Sequence, residues 1–169
     1  FYYITDKLTM IQAITETAFN IYVQTEDNRI NTSVASTQIR HLVKFTNDMD
    51  KSVYYAYGST ETIKDRFTNI SISYNTTPNV YTGATKLFPA GYYKYEIYEV
   101  SWIGTVTVLL NSAPATENDV LTPAADTKGV VQGLVTKGKM NLSEKDGTQQ
   151  VQYTQRQEPS GTNYIYYGQ

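Results

Sequence analysis

The feature that most constrains the fold is the run 87–100, LFPAGYYKYEIYEV, in which a turn leads into a strongly alternating strand. Residues two positions apart share one face of a strand, so Tyr93, Tyr95 and Ile97 are predicted to lie on one face, with the charged residues between them on the other. A Tyr placed just after such a turn is typical of the tyrosine corner of immunoglobulin-like sandwiches, where its hydroxyl bonds back to nearby backbone. The run therefore predicts an all-β fold.

Composition narrows the partners. The 169 residues include no cysteine, which excludes disulfides and thiolate metal sites. The net charge is −2 with no run of like charges, so nucleic acid is not an expected partner. No apolar run approaches the length of a membrane span, so no membrane partner is expected. Tyrosine is abundant, with 16 Tyr against 5 Phe and 1 Trp, and this favours half-exposed sheet faces and interfaces.

Strand-like patterns recur along the chain and predict an immunoglobulin-like antiparallel β-sandwich over residues 1–142. Thr60–Arg66 is interpreted as one helical turn or a short connection. Trp102–Leu110 is predicted to complete a hairpin or meander with the tyrosine-corner strand. The other predicted strands are Phe1–Thr5, Ile11–Ile14, Ala18–Gln24, Ile39–Phe45, Val53–Tyr57, Phe67–Tyr74 and Val130–Leu142, the last with a bulge expected at Gly133 or Gly138.

Two segments fall outside this pattern. Asn111–Gly129 has two prolines and few large apolar residues, so it is predicted to be a loop insertion that takes no part in a core and serves contact rather than stability. Residues 143–169 are predicted to be an extended polar arm with a tyrosine-rich end. That end carries more apolar area than a solvated tail normally exposes, so it is expected to clamp a partner. The predicted partner-binding residues are Tyr164, Ile165, Tyr166 and Tyr167.

No residue pattern indicates catalysis, a metal or a cofactor. His41 is the one histidine, no Gly-x-Ser-x-Gly elbow accompanies it, and it is interpreted as a half-exposed strand residue. The acidic clusters Asp48–Asp50 and Glu26–Asn28 are interpreted as hairpin turns, since neither matches the twelve-residue calcium loop. Glu96 and Glu99 lie on opposite faces of one strand, so they are interpreted as solvated residues rather than a glycosidase pair. The chain is therefore not expected to be an enzyme.

Three motifs resemble a small virion structural protein of tailed bacteriophages, in the crAss-like group and its relatives. They are HLVKFTNDM at 41–49, KDRF at 64–67 and PAGYYKYEIYE at 89–99, matching an F-T-N-D turn, a D-R-[FY] strand entry and a P-x-G-x-Y-x-Y-E-[IV]-Y strand. The resemblance covers residues 40 to 100 and, more weakly, 130 to 155. It implies a non-enzymatic auxiliary or decoration protein on the capsid, assembled in the host cytoplasm. The implied partners are the major capsid protein, other virion subunits or copies of itself.

A second hypothesis is a carbohydrate- or receptor-binding module of a head or tail fibre. Tyrosine-rich surfaces bind sugars by stacking, so this hypothesis predicts an exposed aromatic platform on one sheet face. The decoration hypothesis predicts instead that aromatic side chains are buried against neighbouring subunits.

Overall fold

The computed structural model describes residues 10–146. The predicted strand Phe1–Thr5 and the predicted partner-binding residues Tyr164–Tyr167 lie outside the described residues. Residues 10–146 form nine strands, namely β1 (Ile11–Ile14), β2 (Phe19–Val23), β3 (Ile39–Asn47), β4 (Val53–Tyr57), β5 (Thr60–Ile63), β6 (Thr68–Tyr74), β7 (Ala84–Thr85), β8 (Gly91–Ser101) and β9 (Val130–Ser143). Two single 3-10 turns, Ser36–Gln38 and Val80–Thr82, are the only helical elements in this range, and neither has the length to cross a membrane.

The strands form two sheets in a sandwich-like arrangement. The larger sheet has the order β1-β9-β8-β3-β4, and the smaller has the order β2-β6-β5, with β7 beside β6. Both sheets are mixed, because β1 runs parallel to β9 and β7 runs parallel to β6. The prediction of an antiparallel sandwich is therefore wrong in this respect. The turn after β1 carries the chain into the other sheet instead of closing a hairpin, which leaves β1 to pair with the last described strand.

The core between the sheets follows the period-two pattern of the strands. Val43 and Ile97 from the larger sheet pack with Ile21, Ile70 and Ile72 from the smaller one, and all five are at most 1% exposed. Full burial of one such side chain contributes about 1.5–3 kcal/mol. The alternation predicted for the segment that begins at Phe67 is confirmed over β6, where Ile70 and Ile72 face the core.

The tyrosine corner is confirmed. Tyr93 is fully buried, and its hydroxyl donates a 2.6 Å hydrogen bond to the carbonyl of Pro89 in the preceding turn. Its neighbour on the same face, Tyr95, lies over Gly138 of β9, where a Cβ atom would sit 2.5 Å from the Tyr95 hydroxyl oxygen. Gly138 therefore makes room for a ring. The predicted bulge lies at the other glycine, since the register of β8 and β9 shifts next to Gly133.

Two predicted elements differ from the structure. Thr60–Ile63 is strand β5 rather than a helical turn, because a tight turn with a 2.8 Å hydrogen bond from the Lys64 N–H to the Phe67 carbonyl folds it back against β6. Trp102–Leu110 is not a strand. The two sides of β8 are already occupied by β3 and β9, so the chain leaves the sheet after Ser101.

The segment 102–129, here called the strap, lies across the outer face of the larger sheet. Trp102 is fully buried there and packs with Leu42, Tyr57 and Val100 in a second apolar cluster. Ala113 of the strap is 1% exposed and belongs to the same cluster. The expectation that residues 111–129 take no part in a core is therefore corrected. Small side chains such as that of Ala113 let the strap lie close to the sheet.

Candidate functional site

Polar side chains occupy one end of the space between the sheets. The side chains of His41 and Glu61 are 2% and 1% exposed, and the His41 ring hydrogen-bonds to the Glu61 carboxylate through Nδ1. The main-chain N–H of His41 donates to the same carboxylate at 3.2 Å. His41 is thus buried, not half-exposed as predicted. Odd-numbered residues of β3, including His41, face the core, and Glu61 of β5 lies opposite His41.

Glu99 lies next to His41 in the strand register and is 1% exposed. Its carboxylate accepts hydrogen bonds from the N–H groups of Asn31 at 2.8 Å and Ile30 at 3.3 Å. The interpretation of Glu99 as a solvated residue is wrong, because it fastens the loop before β3 to the interior of the sandwich. Burial of a carboxylate without such partners is strongly unfavourable.

Further hydrogen bonds connect the loop before β3 with strands β8 and β9. Asn31 also donates from its side chain to the hydroxyl of Ser101 at 3.1 Å, and Gln132 donates to the same hydroxyl at 2.8 Å. A groove of about 260 Å³ lies beside Glu61 at the end of the sandwich. In residues 10–146 no three His, Asp or Glu side chains are grouped as metal ligands. The hydrogen bonds to the Ser101 hydroxyl therefore join the loop before β3, β8 and β9 into one unit.

A second polar group fixes the strap to the outer face of the larger sheet. Lys44 Nζ lies 2.6 Å from a Glu117 carboxylate oxygen, and the Tyr55 hydroxyl donates to the other oxygen at 2.5 Å. Partial burial alone raises the pKa of Glu117, but the bonds from Lys44 and Tyr55 outweigh it and hold that pKa below its ordinary value. The same hydrogen bond, which Lys44 donates to the Glu117 carboxylate, raises the pKa of Lys44. Glu96 is held nearby in an ion pair of 2.9 Å with Lys94, which lowers the Glu96 pKa.

The strap exposes apolar side chains on its outer side. Ile103, Val120 and Val130, the last at the start of β9, are 72%, 83% and 57% exposed. They line a groove of about 390 Å³ together with Leu121. Leu109 and Leu110 of the same strap are 60% and 70% exposed. Large exposed apolar patches on soluble proteins mark interaction sites, and this groove is therefore the candidate functional site.

The outer face of the smaller sheet carries a different feature. Tyr22 and Phe67 are 60% and 42% exposed, and their ring centroids are 6.0 Å apart. Asn20 and Ser71 lie beside them on the same face, joined by a 2.6 Å hydrogen bond. The pair is an exposed aromatic platform bordered by amide and hydroxyl groups.

Comparison of the chain with protein-family models, with curated proteins and with solved structures found no match in any of the three.

The apolar groove on the strap could not be predicted from the sequence. Val120 and Leu121 were visible as adjacent apolar residues in a polar segment, but nothing local showed that Ile103 and Val130 would join them. The predicted partner-binding residues Tyr164–Tyr167 lie beyond residue 146, so the structure does not describe them.

Proposed function

We propose that this chain is a non-enzymatic structural component of a bacteriophage virion, an auxiliary or decoration protein bound to the capsid surface. In this proposal it reinforces contacts between capsid subunits, with the major capsid protein, other virion subunits or its own copies as partners. It is assembled in the host cytoplasm and resides in the virion. The proposed scaffold is an immunoglobulin-like sandwich whose loop insertion is residues 111–129 of the strap.

The observation that carries the proposal is the apolar groove on the strap. A partner that covers Ile103, Val120 and Val130 removes exposed apolar area from water, and each Å² so buried contributes about 25 cal/mol before the costs of association. The partner meets a surface that is already ordered, since Glu117 bonds Lys44 and Tyr55 in the sheet beneath. A preordered surface loses less conformational entropy on binding.

Two further features support the proposal. The tyrosine-corner bond from Tyr93 to Pro89 is the feature expected of an immunoglobulin-like strand. The same segment, 89–99, provides the longest motif of the resemblance to phage virion proteins. Adhesive and structural β-sandwiches act through surface contacts rather than through catalytic groups, and the exposed apolar groove of this chain is suited to such a contact.

Binding to phage shells tests the proposal. The full chain should co-sediment with shells built from the major capsid protein, and the double variant Ile103→Asp/Val120→Asp should bind at least about tenfold more weakly, a loss of about 1.4 kcal/mol. Met49→Asp is the matched control, because Met49 is an apolar residue 89% exposed in the turn before β4, away from the groove. Absence of wild-type binding to shells would contradict the proposal.

The platform of Tyr22 and Phe67 favours a second candidate function, carbohydrate or receptor binding in a head or tail fibre. Sugars stack their apolar faces on aromatic rings and bond to neighbouring amides and hydroxyls, and Asn20 and Ser71 supply such groups here. Titration of neutral oligosaccharides against the full chain, read by chemical shifts, tests this function. Binding that Tyr22→Ala removes and Met49→Asp leaves unchanged would favour it.

A further inference from the structure

We propose that strand β2 is a self-association edge, on which a second copy of this chain adds its own β2 in antiparallel orientation. The smaller sheets of the two copies then form one continuous sheet with a two-fold axis at Ile21. The apolar groove on the strap is lined by other residues, none of them in β2, so this edge is a separate surface. The inference therefore goes beyond the proposed function and does not depend on it.

The hydrogen bonds of β6 show which side of β2 is open. The Ser71 carbonyl of β6 accepts a 2.8 Å main-chain hydrogen bond on the β5 side, so the neighbouring Ile70 directs its N–H and C=O groups towards β2. Ile70 lies opposite Ile21. The N–H and C=O groups of Asn20 and Tyr22, on either side of Ile21, therefore point away from β6. In the described part of the chain no strand pairs with β2 on that side, and these groups have no main-chain partner.

The edge of β2 lacks the features that normally prevent pairing between sheets. Exposed edge strands are usually protected by charged side chains, by proline or by charges that point inward. Residues 17–25, which include all of β2, contain no charged residue and no proline. β5, at the opposite edge of the same sheet, has such protection, because the Glu61 carboxylate is buried and Lys64 follows the strand. Two copies of β2 can therefore approach one another without like-charge repulsion.

The sequence of β2 is self-complementary about Ile21. In an antiparallel pair centred there, Asn20 of each copy lies opposite Tyr22 of the other, and their open N–H and C=O groups form main-chain hydrogen bonds in both directions. On the core side, Phe19 of each copy lies opposite Val23 of the other. These two side chains are only half-buried in the single chain, where they pack against the edge of the core. Pairing covers them and so removes further apolar surface from water.

A second copy is the partner that this edge fits, because β2 itself is an uncharged extended strand with an open edge of the same spacing. The contact is isologous, since each copy contributes the same surface. It occupies the open side of both β2 strands, so association through it stops at two copies. An interface one strand wide is at the small end of specific interfaces, and we therefore expect a reversible dimer whose population depends on protein concentration.

Complementation between two oppositely charged variants of the full chain tests the inference. The lysine variant is Asn20→Lys/Tyr22→Lys, and the glutamate variant is Asn20→Glu/Tyr22→Glu. Both side chains are exposed, so the single chain should keep its fold. Thr60→Lys/Thr62→Lys is the matched control, because these exposed side chains occupy the same two cross-strand rows on β5, at the opposite edge. Sedimentation velocity measures the association of each variant alone and of the equimolar mixture of the lysine and glutamate variants.

The wild type and the control should form dimers of equal affinity. Each charged variant alone should dimerise at least about tenfold more weakly, because like charges then lie opposite each other, and the mixture should regain dimers as heterodimers. A wild type that stays monomeric up to about 1 mM, or a mixture that associates no better than its components, would overturn the inference.

The groove variant Ile103→Asp/Val120→Asp separates this inference from the proposed function. It should dimerise like the wild type, since the groove takes no part in the pairing of β2. Loss of dimers in the groove variant would overturn the inference by placing self-association at the groove. Dimers that form in a chain without affinity for phage shells would contradict only the proposed function.

Discussion

The hydroxyl of Tyr57 donates a 2.5 Å hydrogen bond to the main-chain carbonyl of Pro114, and both residues are buried. The bond joins an edge strand of the larger sheet to a segment without regular secondary structure. Burial raises the pKa of the Tyr57 phenol, so the group stays protonated and remains a donor. The strap is in this way a part of the folded unit.

Tyr57→Phe should lower the free energy of unfolding by about 1–3 kcal/mol, because it leaves the Pro114 carbonyl buried without its donor. Urea denaturation followed by circular dichroism measures the loss. Tyr22→Phe is the control, since Tyr22 is 60% exposed, and its effect should stay within about 0.5 kcal/mol. Equal effects of the two changes would mean that the bond to the strap adds nothing.

Trp102→Ala should be far more damaging than a change at the next residue. Trp102 is fully buried beneath the strap, and truncation of a buried aromatic residue costs about 3–5 kcal/mol. Ile103→Ala removes a side chain that is 72% exposed and should cost less than about 0.5 kcal/mol. Thermal melts of the two variants compare them. Similar melting temperatures would show that the second apolar cluster does not contribute to stability.

The losses of stability caused by substitutions at His41 and at Glu61 should be coupled. Removing one partner leaves the other buried without its hydrogen bond, which costs about 1–3 kcal/mol and more for a charged group. His41→Ala and Glu61→Ala should each destabilise, and the double variant should lose at least about 0.5 kcal/mol less than the sum. Additive losses in denaturant titrations would contradict the pairing.

Lys139→Ala is the reference for an exposed ion pair. Lys139 Nζ lies 2.7 Å from Asp48 on the surface, with both side chains solvent-accessible. Exposed pairs contribute about 0–1 kcal/mol, so Lys139→Ala should lower the free energy of unfolding much less than His41→Ala does.

Alkaline titration should show tyrosines that resist ionisation. Burial raises the pKa of Tyr93 and of Tyr98 to about 12, and the pKa of Tyr95 rises for the same reason. The folded state therefore holds these protons more tightly than the unfolded state. The stability this adds is complete below the ordinary value of 10.0 and is lost as the pH rises towards 12. Phenolate absorbance, compared between native protein and protein in urea, measures how far the ionisation of these tyrosines is displaced to higher pH. Identical titrations would contradict the buried placement.

The strap contact should depend on acid in the opposite sense. The pKa of Glu117 is lowered in the folded state, so its contribution is present above the ordinary value of 4.5 and is lost as the pH falls through the lowered value. The melting temperatures of the wild type and Glu117→Gln should differ most above 4.5 and converge in more acidic solution. A difference that grows in acid would contradict the assignment.

Local alternation explains what the sequence could predict. The period-two pattern around Tyr93 and the polar turn after β3 are both properties of adjacent residues, and the structure confirms the strands they predict. The platform of Tyr22 and Phe67 depends on which face of two strands points outward, so it required the strand register.

Long-range pairing explains what the sequence could not predict. Glu61 meets His41 only because β5 and β3 belong to facing sheets. Along β9, two register shifts change which alternate residues face the core, so a simple alternation fails there. The strap has no strand or helix period, and its position on the sheet depends on individual contacts such as that of Tyr57 with Pro114.

The parallel pairing of β1 with β9 has a consequence for synthesis of the chain. Ile11 lies opposite Met140, so the first described strand has its partner only after nearly all of the domain has left the ribosome. Contacts between such distant residues slow folding, because a long loop must close before they form. Until then, β1 has no strand beside it in its own sheet, and its main-chain hydrogen-bonding groups stay unpaired. We expect the nascent chain to be most prone to aggregation in that interval, and the completed β9 to end it.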